Sequence, residues 1–336
     1  MIREGYLKRR KRTNLINIIL IVLIVAMAVF SLVYGEKVYS LDTVFRVITG
    51  EKIQGASFSV GRLRLPRMLI GIMVGASFGI AGNTFQTMLR NPLASPDIIG
   101  ISSGCSVSAV FCILVLHLSG GIVSIISVVF GLLISMLIYI LSKGAGFSGG
   151  RLILIGIGIQ AITNAMVSYM ILKATQYDVP SALRWLSGSL NGMNMNDVPV
   201  LLFVLIIFGG INILLTKYIQ ILELGDELAT TLGININILR IVLIISSVIL
   251  IAFATAITGP ISFVALLSGP IAIKITKSSS ANAFSAALVG AILVLVGDII
   301  AQFLFTTRFP VGVVTGMIGA PYMLFLLIYI NKRGEI

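Results

Sequence analysis

Asp298 stands deep inside an apolar stretch, four residues ahead of Gln302. A carboxylate at that depth is a functional candidate, because its charge is costly in lipid unless something offsets it. Two readings stand. Asp298 carries protons in a secondary transporter, or it hydrogen-bonds within a helix bundle beside Gln302, one turn away. The apolar stretches hold no second carboxylate and no basic partner for it, which leaves a relay unsupported and favours the structural role. Other chemistry is sparse. His117 is the one histidine, at an expected helix end. Cys105 and Cys112 lie seven apart in one apolar stretch and read as small core residues rather than a disulfide or metal pair. No His-Glu-x-x-His zinc motif and no Walker phosphate loop occur, and nothing is read as a Gly-x-Ser-x-Gly nucleophile elbow. The expectation is no catalytic residue, no metal site and no bound cofactor.

A second kind of chemistry is docking. The segment Glu223-Leu-Gly-Asp-Glu-Leu-Ala-Thr-Thr-Leu-Gly233 is polar between two apolar runs. Asp226 is placed to cap a short helix and Gly233 to end it. Leu224, Leu228 and Leu232 recur at four-residue spacing as one apolar stripe, beside Glu227. Ala229 is expected to keep the adjacent surface small. Such a helix either lies on the membrane or fills a partner's groove. Its acidic residues disfavour an anionic inner leaflet and favour the partner.

The elements that carry these residues follow from composition. Of 336 residues, 57% are hydrophobic and 11% charged, and mean hydropathy is +1.08. That excludes a soluble chain, which needs far more charge at its surface. Ten membrane-spanning helices are expected, over 16–33, 68–85, 98–116, 122–141, 152–172, 198–215, 238–257, 261–275, 283–305 and 311–330. The first follows Lys8-Arg9-Arg10-Lys11-Arg12. Ala26-Met27-Ala28 imitates a signal-peptide cleavage site, but the apolar run continues past it, so an uncleaved span is expected. The eighth span is short, and Gly269-Pro270 leaves it bent or broken. Gly71, Gly75 and Gly79 make one smooth face, for close helix packing or for lining a pathway.

The net charge of +12 fits an excess of Lys and Arg on cytoplasmic loops rather than nucleic-acid binding. Ten spans put both termini in the cytoplasm, with Arg90 and Lys143. On that topology fifteen of the 24 Lys and Arg face inward. Six of the rest crowd into one outer loop, 34–67, which suits an acidic partner. The chain reads as one permease domain, 1–336, with a cytoplasmic tail over 1–15 and a docking segment over 220–235.

From about Leu41 to Arg333 the chain resembles permease subunits of binding-protein-dependent ABC importers for iron-siderophores, haem and cobalamin. The stretches that carry the resemblance are Arg64-Leu-Pro-Arg67, Arg90-Asn-Pro-Leu-Ala-Ser-Pro-Asp-Ile-Ile-Gly-Ile-Ser-Ser-Gly104, Trp185-Leu-Ser-Gly-Ser-Leu190, the 224–233 segment, and Phe309-Pro-Val-Gly-Val-Val-Thr-Gly-Met-Ile-Gly-Ala-Pro321. The resemblance implies an all-α bundle of about ten spans, like a cobalamin-importer permease, in the bacterial cytoplasmic membrane. It implies ferric siderophores as cargo, with haem or cobalamin as alternatives. It also implies a second permease subunit, an extracytoplasmic binding protein, and two cytoplasmic ATPase subunits that hold the ATP and Mg. By position, Leu224, Gly225, Asp226, Glu227, Leu228, Ala229, Leu232 and Gly233 match the ATPase-coupling helix. Asn91 and Leu93, with Ser148, Gly149 and Gly150, match the inner gate. Arg64 and Arg67 match outer residues that dock the binding protein. The chain departs from the family pattern at Gly269-Pro270 (usually Pro-His), at Ala301-Gln302 (usually Ala-Arg) and at Arg308-Phe309-Pro310 (usually Glu-Leu-Pro). Arg308 then stands in for a third docking arginine, and the drift favours a heterodimer.

Overall fold

The structure, a computed structural model, describes residues 2–142, 149–278 and 282–333. Lys143 and Ser148 lie outside the described residues. Among these residues every regular element is helical. Seven helices are long and apolar enough to cross a membrane, and three shorter apolar helices join them, so the ten expected spans are all present as helices.

The chain opens with α1 (Ile2–Val33), whose helix takes in the expected polar tail, and continues through α2 (Leu41–Ile48). The segment 34–67, expected to face outward, is not a plain loop. Besides α2 it holds a π-helical turn, Ser57–Arg64, that runs directly into α3 (Leu65–Met88). Pro66 sits in the first turn of α3, just past that π-helical turn. Next come α4 (Ile101–Leu114), α5 (Gly121–Ser142), α6 (Gly149–Lys173) and α7 (Val179–Leu186). The sixth span is α8 (Asp197–Val204) and α9 (Gly210–Leu214), joined by a π-helical turn over Leu205–Gly209. The short α10 (Thr216–Glu223) and α11 (Asp226–Thr231) precede α12 (Ile236–Thr258), α13 (Val264–Thr276), α14 (Ala283–Phe303) and α15 (Val311–Arg333). Side chains start the long helices: Asn235 Oδ1 accepts from Ile238 N at 3.2 Å, and Asn282 Oδ1 from Phe284 N at 3.1 Å.

Helix α3 is the axis of the bundle. It is buried along most of its length against α12, α13 and α14, while α1, α5 and α6 turn broad apolar faces outward. Glycine makes the close contacts possible. A Cβ on Gly75 would fall 2.4 Å from Gly290 O, one on Gly79 would fall 2.2 Å from Ala286 O, and one on Gly82 would fall 1.8 Å from Ala265 O. The glycine face therefore serves helix packing and not a pathway wall.

The eighth span, α13, continues through Gly269-Pro270 unbroken. Pro270 cannot donate to the carbonyl of Leu266 one turn back. That freed acceptor is satisfied from α3, where Gln86 Nε2 donates to Leu266 O at 2.7 Å. Gly269 makes room for the amide: a Cβ there would lie 2.2 Å from Gln86 Oε1.

Candidate functional sites at the two ends of α3

The two groups of expected site residues are carried at opposite ends of α3, which spans roughly 35 Å at 1.5 Å per residue. At its start, Arg64 and Arg67 enter from consecutive turns. Both guanidinium groups are engaged within the chain. Arg64 Nη1 donates to Leu32 O at 2.9 Å and Val33 O at 3.0 Å, and its Nη2 to Lys37 O at 2.6 Å. Arg67 grips Asp298, with Nε 3.0 Å from both carboxylate oxygens and Nη2 2.7 Å from Oδ1. Its Nη1 donates to Asn191 Oδ1, and Gln302 Nε2 donates to Asp298 Oδ2 at 2.8 Å. The side chains of Arg67 and Asp298 are 14% and 4% exposed.

This corrects one expectation. Asp298 does have a basic partner, 231 residues away in sequence, and with its charge matched there and its second oxygen held by Gln302 it is built as a structural group. Arg64 and Arg67, expected to dock a binding protein, are each hydrogen-bonded to acceptors within the chain. Arg308 is the more open of the three, its side chain 56% exposed and paired with Glu36. The three arginines, Glu36, Asn191 and Gln302 line one cavity of about 560 Å³. Nearby, Arg46 hydrogen-bonds Glu51 and holds its carboxyl below the usual range.

The floor of this end is knit by the Trp185–Leu190 motif. Ser189 N donates to Thr258 O at 2.7 Å, and Gly312 N donates to Gly188 O at 2.9 Å. Gly188 has φ +65°, and a Cβ on it would lie 2.2 Å from Pro260 O, so only glycine fits. His117 is exposed beside Asp178, at 3.9 Å. Cys105 and Cys112 are free and buried. The spacing Gly-x-Ser-x-Gly does occur: at 146–150, whose serine lies outside the described residues, and, among the described residues, at 75–79 and at 100–104. Neither of these last two is a strand-to-helix elbow: Ser77 donates to its own helix at Met73 O, 2.8 Å, and Ser102 to Asp97.

At the other end of α3, Arg90 takes φ +50° and the chain turns through Asn91, whose Oδ1 accepts from Leu93 N at 2.9 Å. A Cβ on Gly149, at the start of α6, would touch Leu89 at 2.9 Å, and Gly150 follows it in the first turn of α6, so the two described parts of the expected gate lie side by side. Gly149, Arg90, Asp226 and Arg240 line one cavity of about 200 Å³.

Helix α11 forms where expected, but two of its residues differ in role. Asp226 does not cap it. Gly225 at φ +124° is the N-cap, and the Asp226 carboxylate turns away to Arg90 Nη2 at 2.6 Å and Arg240 Nη2 at 2.8 Å. Ala229 is not beside the stripe on the surface. It is fully buried against Ile219, Leu222, Leu239 and Leu243, and so ties α11 to α10 and α12. The stripe itself is open, with Leu224, Leu228 and Leu232 exposed by 65%, 54% and 64%. Glu227 is exposed as well, and Gly233 ends the segment at φ +80°. Arg240, Glu36, Asn191 and Gln86 were not singled out from the sequence, and no spacing signal links them to their distant partners.

A ten-helix apolar bundle with an exposed leucine stripe at one end and a charged cavity at the other fits a multi-pass membrane transport protein. The chain belongs to the FecCD transport family, which matches residues 20–329. It is 36% identical over 324 residues to the Fe(3+)-citrate import system permease protein YfmE of Bacillus subtilis, covering 95% of this chain and 96% of that one. It is 33% identical over 310 residues to the ferric enterobactin transport system permease protein FepG of Escherichia coli, covering 91% and 93%. Its fold matches a solved inward-facing conformation of a metal-chelate type ABC transporter with a TM-score of 0.83, at 27% identity, over 94% of this chain and 98% of that one. The resemblance read from the motifs holds at the level of the family.

Proposed function

We propose that this chain is the permease subunit of a binding-protein-dependent ABC importer in the bacterial cytoplasmic membrane, with ferric siderophores as cargo. The pair of permease subunits carries two cytoplasmic ATPase subunits, which bind ATP and Mg, and α11 of this chain docks one of them. A second permease subunit, in a heterodimer, completes the path, and an extracytoplasmic binding protein delivers cargo to the end that carries Arg308. The chain itself holds no cofactor and catalyses nothing. The observation that carries this reading is α11. Leu228 stands exposed on a six-residue helix, Leu224 and Leu232 stand exposed on the residues that flank it, and the helix's opposite side, at Ala229, is anchored in the bundle. So short a helix persists only because it is docked on its own chain, and an open apolar stripe on it is a surface for a partner. The iron-chelate relatives support the cargo; a cobalamin import system permease of Halobacterium salinarum, 30% identical, keeps cobalamin as the second reading, with haem beside it.

Co-purification with the ATPase, run beside uptake, tests the docking. Leu228→Ala and Leu232→Ala should each weaken the association by about 2 kcal/mol if these leucines are anchors. Unchanged association and uptake would remove α11 as the docking element. Uptake that needs no ATPase but stops when the proton gradient is collapsed would point to a secondary transporter. Uptake of ferric siderophore, haem and cobalamin with the cognate binding protein decides the cargo.

A further inference from the structure

Asp226 is held by two arginines from two other elements. Arg90 directly follows α3, and Arg240 stands in the first turns of α12. Arg90 Nη2 lies 2.6 Å from Asp226 Oδ1, and Arg240 Nη2 lies 2.9 Å from Oδ1 and 2.8 Å from Oδ2. We infer that this three-residue cluster is the joint through which displacement of α11 reaches the inner end of α3, with Arg90 and Arg240 as its positioning residues. The inference rests on the function proposed above and adds the route by which docking force would move the bundle.

Four observations carry it. First, the carboxylate has no local duty. Gly225 begins α11, and the helix's own backbone bond runs from Ala229 N to Gly225 O at 3.0 Å, so Asp226 is free to reach outside its helix. Second, the exposures differ. The Arg240 side chain is 12% exposed and set in the body, whereas those of Arg90 and Asp226 are 45% and 46% exposed. Arg240 is the fixed side of the joint and Arg90 the side that can follow.

Third, Arg90 is tied twice to the docking segment, because its Nε also donates to Leu222 O at 3.0 Å, at the end of α10. It does so at φ +50°, a backbone state that a non-glycine residue holds only when its surroundings require it. Fourth, the motion has somewhere to go. One turn before Arg90, Gln86 of α3 bonds the carbonyl that Pro270 frees in α13, and immediately after Arg90 comes the Asn91–Leu93 turn. A cavity of about 260 Å³ between these groups is lined by Gln86, Arg90, Asn91 and Pro270.

The cluster works by charge and not only by hydrogen bonding. Two guanidinium groups share one carboxylate. Without its negative charge they repel each other, and the half-exposed Arg90 leaves. A linker of this kind transmits force only while the middle charge is present, which separates it from a simple staple.

The test uses the full complex in proteoliposomes, with binding protein and ferric siderophore, and reads cargo moved per ATP hydrolysed. Arg90→Gln alters a half-exposed residue away from the leucine stripe, so the complex should assemble. Cargo per ATP should fall about ten-fold, within the range usual for coupling between sites. Asp226→Asn should lower the ratio equally, Asp226→Glu should restore most of it, and the double variant Arg90→Gln with Asp226→Asn should be no worse than either alone. If Arg90→Gln assembles normally and keeps the wild-type ratio, the inference is overturned whatever Asp226→Asn does. If uptake falls only in proportion to lost ATPase subunits, the cluster merely shapes the docking surface and the inference is again overturned. A wild-type chain that binds no ATPase at all would instead sink the function proposed above, and this inference with it.

Discussion

At Asp298 a charge sits where water barely reaches, and its stability depends on the match with Arg67. Two nitrogens of Arg67 and the amide of Gln302 saturate the carboxylate, while Asn191 takes the remaining arm of the guanidinium. Removing one partner leaves the other charge buried and unpaired, which costs more than the pair itself contributes. Asp298→Asn should therefore destabilise the protein by about 3 kcal/mol, despite being nearly isosteric. Thermal unfolding in detergent would read this as a lowered midpoint, and Arg67→Gln added to Asp298→Asn should recover part of the loss. A wild-type midpoint for Asp298→Asn alone would show that Arg67 finds another acceptor. The same geometry explains why Arg67→Glu is a poor probe of docking: it sets two carboxylates face to face before any partner arrives. Arg308, exposed and paired with Glu36, is the better probe of that surface.

Among the elements, α3 bears the tightest constraint. Its glycines put backbone against backbone, and a backbone atom cannot rotate away as a side chain can. Gly82→Ala would bring a Cβ within 1.8 Å of Ala265 O, so α13 must shift as a body. The expected cost is about 1–3 kcal/mol, as for other overpacked sites. Gly158, on the outward face of α6, is the control: nothing lies within 4 Å of its Cβ position, so Gly158→Ala should be neutral or stabilising by up to about 1 kcal/mol. Unfolding midpoints of the two variants measured side by side would check this, and equal midpoints would contradict it. Helix α11 is constrained in the opposite way. Its buried face is one alanine, so Ala229→Trp would expel α11 from its own chain, and loss of transport by that variant would not by itself report on a partner.

For the molecule as a whole, the Lys and Arg bias predicts the orientation, because such loops are held back on the cytoplasmic side. Thr231 on α11 and Ser119 between α4 and α5 are both exposed and stand at opposite ends of the bundle. In intact cells, Ser119→Cys should react with an impermeant thiol reagent and Thr231→Cys should not. The native Cys105 and Cys112 are fully buried and give no background. Strong labelling of Thr231→Cys from outside would invert the topology and detach α11 from any cytoplasmic ATPase.

Much of the architecture was legible in the linear chain, because lipid imposes it locally. A span must satisfy its backbone within itself, so apolar length alone located ten helices, and the leucine spacing alone located α11. The glycine period likewise announced a close-packed face. Pairing was not legible. Arg67 with Asp298, Arg308 with Glu36, and Asp226 with Arg90 and Arg240 join residues from 14 to 272 positions apart, and no local pattern pairs them. Nor could four-residue spacing tell which side of α11 faces the bundle, so Ala229 was assigned to the wrong surface. Local rules act through the residues next along the chain. Which charge meets which, and which face is buried, depends on the helices that fold back beside them, and only the tertiary structure decides that.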